Sequence, residues 1–354
     1  MMMPSPYLLV NVANVLANDC SFPFFAIFFL SQCCSKFSYV VYNSGMEFAN
    51  LWSKGTKQPK LSRIATRSDT SGIMSLLRTA VNKHMHVDWY LPGDWIGAPG
   101  FVVLPKSNGT SAQQSFTEKL LGPRTSLHGC LAVTPDPEPA AWVRVAALDE
   151  HVTPLLALGD MIELASSNLK ASSIDSIAWL TIQEWPNQWL SKLRFHKATQ
   201  IETYIKESTT VPSVPDVPNL TFRHVFETDL AQLAYLEEKA FEPLWRHSAR
   251  GLDLARHQAF SFDVALLDEK IVGFQLSTPS DYGAHLVRIT VDPDLHRSGI
   301  GSALLAHTFR GYHQRGRHRI TLNTQIENIA SQYLYKKFGF FASGQRFPVW
   351  MKQL

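Results

Sequence analysis

Val291-Asp292-Pro293-Asp294-Leu295-His296-Arg297-Ser298-Gly299-Ile300-Gly301-Ser302-Ala303-Leu304-Leu305 passes from an apolar strand through a glycine-bearing loop into an amphipathic helix. Asp292-Pro293 ends the strand, because proline has no N–H to give to a ladder. Gly299 and Gly301 let backbone come close to an anion. Successive N–H groups then point at it, and the helix after the loop offers its positive dipole end. Arg297, Ser298, Gly299, Ile300, Gly301 and Ser302 are therefore the predicted cradle for a pyrophosphate. Gly-x-Gly alone is a weak signal, and a plain helix-entry loop accounts for it equally. A dinucleotide-binding fold is excluded, since its fingerprint comes after a first strand and here the loop lies late in the chain.

Downstream, Ile320–Thr324 reads as another strand. It leads into Asn323-Thr-Gln-Ile-Glu-Asn328-Ile-Ala-Ser331-Gln-Tyr-Leu334-Tyr335-Lys-Lys-Phe338-Gly339-Phe340. A loop, a helix, a strand and then N-x-x-S-x-x-L-Y-x-x-x-G-F resembles the GCN5-related N-acetyltransferase (GNAT) superfamily. The resemblance covers residues 220–354 well and 60–206 only faintly. It implies that the fourth strand and the loop after it hold acetyl-CoA. The fourth and fifth strands would splay, with the pantetheine arm between them. On this sequence the implied binding residues are Ile289, Thr290, Val291, the 297–302 loop and Asn328, and Tyr335 would protonate the departing thiolate. No metal is expected.

These residue types suit the chemistry. The oxyanion formed when an amine attacks a thioester needs preorganised donors, which strand N–H groups freed by a splay supply. The leaving thiolate needs a proton donor, and a phenol can be one. Asn328 and Tyr335 are seven residues apart, two helical turns, and so share a face. Two plainer readings stand beside these: Tyr335 packing against Phe338 and Phe340, and Asn328 as an N-cap. The general base is less legible. Relatives that acetylate protein N-termini often carry Glu in the fifth strand, where this chain has Asn323. Leu286–Val291 offers only Arg288 and Thr290 as polar side chains. The candidates are His285, which titrates in the right range, Glu242, Glu327 and a water chain. Phe241-Glu242-Pro243-Leu244-Trp245 is expected to wall the acceptor site, or else to plug the core at a proline-broken helix end.

Upstream, Thr209–Asn219 (TTVPSVPDVPN) reads as an extended linker. It divides 46–208 from 220–354, and both segments open with a short strand and an amphipathic helix. Each contains a Val-Arg strand, Trp142–Ala146 and Leu286–Val291. Each ends with a strand, a helix closing on Phe195 or Phe340, and a last strand. That order suggests a diverged tandem repeat. With the resemblance, it implies an α/β (α+β) chain of two tandem acyl-CoA N-acyltransferase-like domains. Each would be a mixed, mostly antiparallel sheet flanked by helices. The first half has no glycine loop. Its corresponding segment, Asp149-Glu150-His151, carries acids that repel phosphate, and Leu190 or Ser191 stands where Tyr335 does. It reads as a degenerate domain.

Residues 1–45 differ in composition from the rest. Asp19 is the only charged side chain before Lys36, and Phe22–Leu30 is rich in Phe. Asn18, Asp19 and Pro23 interrupt what would be a membrane span, and no basic n-region precedes it. The segment is expected to be a disordered or spurious extension before Met46, with a membrane anchor at 20–35 or a cleaved targeting segment as the other readings.

Of 354 residues, 45% are hydrophobic and 18% charged, which excludes a wholly disordered chain. A net charge of +3 does not suggest a general nucleic-acid binder, although Arg310, Arg315, Arg317, His318 and Arg319 cluster on one segment. Of the four Cys, only Cys130 lies beyond residue 45, as expected in a reducing, cytoplasmic setting. Three functions compete. The first is an acetyl-CoA-dependent N-acetyltransferase acting on a primary amine, either a small molecule or a peptide N-terminus. The second is a non-catalytic acyl-CoA-binding or sensor protein, and the third an RNA-associated transferase.

Overall fold

The computed structural model describes residues 62–106, 126–208, 210–280 and 283–354. Apart from Pro279 and Ser280, these belong to one compact unit. The expectations for residues 1–45 lie outside the described residues. In the first half, β1 (Arg63–Ile64) precedes α1 (Thr70–Thr79) and β2 (Asn82–Met85). Then come β3 (Phe101–Pro105), β4 (Leu127–Pro135), β5 (Ala140–Leu148), α2 (Pro154–Lys170), β6 (Ser176–Leu180), α3 (Asn187–Leu190) and β7 (His196–Lys206). The second half opens with β8 (Leu220–His224), α4 (Leu230–Ala240) and α5 (Ala249–Gln258). It continues with β9 (Ser261–Leu267), β10 (Lys270–Ser280), β11 (Gly283–Val291), α6 (Ile300–Gln314), β12 (Arg319–Gln325), α7 (Ile329–Lys337) and β13 (Phe341–Gln353).

Local chemistry sets these elements. Ile300, Leu304, Leu305, Thr308, Phe309 and Tyr312 recur at helical spacing and are the buried stripe of α6. The helix ends before Gly316, whose φ is +67°. Asp268 and Glu269 both take positive φ, 46° and 65°, in the tight β9–β10 turn. That is the primed geometry whose twist matches a hairpin. The two halves open on the same device. Arg63 pairs with Asp69, and Arg223 with Asp229, each at 2.7 Å.

The strands form one mostly antiparallel sheet in the order β1-β3-β4-β5-β6-β13-β7-β12-β11-β10-β9-β8. When first-half strands are matched in turn to second-half strands, that order reads the same from either end. The last strands are exchanged. β13 of the second half lies against β6 of the first, with Val349 opposite Leu180. β7 of the first lies against β12 of the second, with Leu322 opposite Tyr204. β7 and β13 then pair with each other. The tandem order expected from sequence is therefore present, but the boundary at 209–219 does not divide the sheet, because each half completes the other. Nor does the linker run free: Val211 and Val214 pack on the core under α6 and α7, and Val217 on that under the first turn of α6. β2 alone has no counterpart among the described strands of the second half.

Candidate active site

β11 and β12 run parallel and pair from Gly283–Arg319 to Leu286–Leu322. They then part. β12 continues against β7, with Asn323, Thr324 and Gln325 opposite Thr203, Glu202 and Ile201. In β11 the side-chain alternation slips at the same point. Leu286 faces the α6–α7 core, whereas Val287 packs toward α4 and α5 and Arg288 reaches the α4 residue Glu237. Two neighbours facing one layer are the mark of a bulge, which bends a strand and ends its pairing. Beyond it, Asp292 N–H donates to Val272 O at 2.8 Å, toward β10. Because N–H and C=O alternate sides along a strand, Ile289 and Val291 turn theirs into the splay.

The loop comes directly after. Lys239 bridges Asp292 and Asp294 at 2.6 Å each, and His296 Nε2 lies 3.1 Å from Val291 O. Arg297 has φ +65°, and Gly299 caps α6 at φ +94°. A Cβ at Gly299 would be strained and 3.2 Å from Val217 Cγ2. Ala303 N–H reaches Gly299 O, so the amides before it are the first-turn donors that a helix cannot satisfy from within. Gly301 packs near Leu334, which brings the α6 N-terminus beside α7.

Asn328 caps α7: its Oδ1 accepts Ser331 N–H at 3.2 Å. Tyr335, 6% exposed, lies in the core with Phe338, Phe340 and Tyr204. Burial pushes its pKa up to about 12, against a hydrogen bond with Ser331 and the positive charge of Arg288. The packing expected of Tyr335 and the capping expected of Asn328 are both present.

The three carboxylate and imidazole candidates are not gathered there. His285 sits where β11 and β12 still pair, with Nδ1 2.7 Å from Thr321 Oγ1, and burial pushes its pKa down to about 4. Glu242 is exposed, and its carbonyl accepts Trp245 N–H at 2.9 Å. Glu327 is exposed and holds Thr199 Oγ1.

The carboxylate that holds β11 beyond the bulge is not among the sequence candidates. Glu237 of α4 is fully buried. Its carboxylate accepts from Arg288 Nη2 at 2.6 Å, Thr290 Oγ1 at 2.8 Å and His247 N at 3.1 Å. Arg288 also donates to Trp245 O and lies 4.0 Å from the Phe241 ring centre. Burial works to raise the Glu237 pKa, but Arg288, His247 and Thr290 more than offset it and hold the carboxyl below its usual range. His247 is pushed down, by burial first and by Arg288 second. A signal for Glu237 is present in the sequence: a carboxylate four residues after Leu233, on the apolar stripe of α4, matched to the two polar side chains of an apolar strand.

The segment Phe241–Trp245 packs against the first half. Trp142 Nε1 donates to Leu244 O at 3.0 Å, and its ring lies 5.5 Å from Trp245 and 4.8 Å from His86. The basic cluster at the end of α6 is engaged locally. Arg315 donates to Phe260 O at 2.6 Å, and Arg319 pairs with Glu207 at 3.3 Å. Among the described residues, no group of three or more His, Cys, Asp or Glu is placed to hold a metal ion, and no helix is long and apolar enough to cross a membrane.

Residues 228–340 match the Acetyltransferase (GNAT) family. The ribosomal protein bS18 alanine N-acetyltransferase of Escherichia coli K12 is 30% identical over 115 residues, 32% of this chain and 75% of that protein. A GCN5-related N-acetyltransferase from Kribbella flavida shares the fold at TM-score 0.50 and 10% identity, over 71% of this chain and 58% of its own. One from Sphaerobacter thermophilus gives 0.48 and 14%, over 74% and 84%. The family match and the 30% identical relative define an N-acetyltransferase. The chain belongs to the GNAT acetyltransferase family, whose members use acetyl-CoA as co-substrate.

Proposed function

We propose that the chain moves an acetyl group from acetyl-CoA to a primary amine, of a small molecule or a peptide N-terminus, at the β11–β12 splay. The observation that carries this is the parting of the strands after Leu286 and Leu322, with the Ile289 and Val291 backbone turned into the gap. The loop beyond them ends at a left-handed Gly299. The residues fit the co-substrate. An extended arm finds donors and acceptors at Ile289 and Val291, and a pyrophosphate finds the Arg297–Ser302 amides. Bound acetyl-CoA supplies a thioester carbonyl, to which the amine adds and from which the thiolate leaves.

The rest is done by the chain. The freed strand N–H groups stabilise the oxyanion. Tyr335, protonated at neutral pH, gives its hydroxyl proton to the leaving sulfur. An acid near pKa 12 is poorly matched to an ordinary thiol near 8.5. Burial disfavours a thiolate as it does a phenolate, so both groups move in the same direction in a buried slot. The positive charge of Arg288 favours the tyrosinate that forms. The amine gives its proton to a chain of water molecules, since Glu237, paired with Arg288, orients rather than accepts.

The test is CoA release, monitored by thiol assay, from purified protein with acetyl-CoA and a panel of amines and peptide N-termini. Tight acetyl-CoA binding without release from any acceptor would favour the sensor reading. No binding would end both.

A further inference from the structure

β5 is the first-half counterpart of β11, and β6 of β12. This pair also runs parallel and also parts, pairing only from Ala140–Ser176 to Trp142–Ala178. A bulge lies at the same place: Val143 is opposite Val133 and Val145 opposite Ala132, which leaves Arg144 as the extra residue. The first half therefore has the splay that the family uses, although its sequence lacks the phosphate loop.

That splay is filled. β4 covers one edge of β5 along its length. β6 takes the start of the other edge, and β2 takes the rest, with Met85, His84, Lys83 and Asn82 opposite Val145, Ala146, Ala147 and Leu148. His86 N–H donates to Arg144 O at 2.8 Å, which sets the phase. By alternation, Ala146 and Leu148 turn toward β2, as Ile289 and Val291 turn into the open splay of the second half.

The fork is bridged as well. His84 is fully buried, its Nε2 3.1 Å from Val143 O on one arm. Its Nδ1 lies 3.2 Å from the Gln183 side-chain amide beyond the other arm. Trp185 Nε1 donates to Lys83 O at 3.0 Å, on the outer edge of β2. In the second half the chain after the equivalent helix, Phe241–Ser248, forms no strand, and the Arg288 side chain reaches it from β11.

We propose that β2 is a built-in occupant of the first splay, standing where the arm of an acyl-CoA would lie, so that the chain takes up one acyl-CoA, in the second splay alone. This rests on the acetyl-CoA reading above. The same strand also places the residues just after it. Asp88 pairs with Arg144 at 2.7 Å, and Trp89 enters the second-half core with its ring tilted against His247, 5.2 Å between centres. Closing one site thereby anchors the Phe241–Ser248 segment of the other half.

Residue-resolved hydrogen exchange on the full chain, with and without acetyl-CoA, separates the two splays without requiring turnover. The Ala146 and Leu148 amides are expected to exchange slowly in the free protein and to stay unchanged on addition of acetyl-CoA. Ile289 and Val291 are expected to exchange fast and to slow at least about 10-fold when it binds, with a calorimetric stoichiometry of one. Fast exchange at Ala146 and Leu148 that slows with acetyl-CoA, or a stoichiometry of two, overturns the proposal. Constant slow exchange there with no response at Ile289 and Val291 overturns the acetyl-CoA reading, and the one-slot assignment falls with it.

Discussion

Replacing Glu237 tests whether the splayed strand is held as described. Its carboxylate is buried and takes Arg288 and His247 on one oxygen and Thr290 on the other. Glu237→Ala leaves the Arg288 guanidinium, itself only 13% exposed, without its anion. Breaking a buried pair from one side costs about 3–5 kcal/mol. Glu237→Gln is gentler. Its amide oxygen can sit where the Arg288-bound oxygen was, and its NH2 can donate to Thr290, whose hydroxyl turns to accept. Only the charge is lost, for about 1.5–3 kcal/mol. At about 2–4 °C per kcal/mol for a chain of this size, a thermal melt separates the two variants from each other and from wild type. Urea unfolding gives the free energies directly. Activity should fall more than stability alone predicts, because Arg288 and Thr290 lie on the free edge that lines the site. A Glu237→Ala protein within about 1 kcal/mol of wild type would mean that this carboxylate is not the anchor of β11.

Gly299→Asp should raise the acetyl-CoA dissociation constant at least about 100-fold by placing an anion in the cradle. Gly299→Ala, strained by about 1–2 kcal/mol at its positive φ, should raise it less; calorimetry on both decides, and equal affinity in the Asp variant would remove the loop from binding. Tyr335→Phe should lower single-turnover CoA release by about 10- to 1,000-fold, with acetyl-CoA affinity and melting nearly unchanged; equal rates would leave Tyr335 a packing residue. His84 has a folded pKa of about 4 against an unfolded 6.5, so between those values the unfolded chain binds the extra proton. Its stabilisation is complete above pH 6.5 and is lost as pH falls toward 4, at about 1.4 kcal/mol per unit, or about 2 kcal/mol at pH 5. Urea midpoints at pH 7.5 and pH 5.0 should therefore converge more closely in His84→Gln than in wild type.

What the sequence disclosed divides along the range of the forces involved. The loop at 297–302, the Asn328 cap and the Asp268-Glu269 turn are fixed by residues a few positions apart, and their glycine, amide and turn chemistry reads directly from the chain. The exchange of β7 and β13 does not. Strand pairing is decided between segments more than a hundred residues apart, such as Glu202 with Arg346, and either strand's pattern suits a partner in its own half. Glu237 is half visible: Arg288 and Thr290 stand out in an apolar strand, but their partner lies 51 residues upstream of Arg288 on another element. β2 is the least visible. Asn82-Lys-His-Met has no β-branched residue and no alternation, so propensity gives no reason to extend it. It is a strand because the bulge at Arg144 frees an edge of β5 whose N–H and C=O groups need partners in a buried place. The same need in the second half has no strand among the described residues to meet it. A backbone edge left open in one half and closed by the chain's own residues in the other is what makes two similar forks unequal, and neither motif nor composition carries that difference.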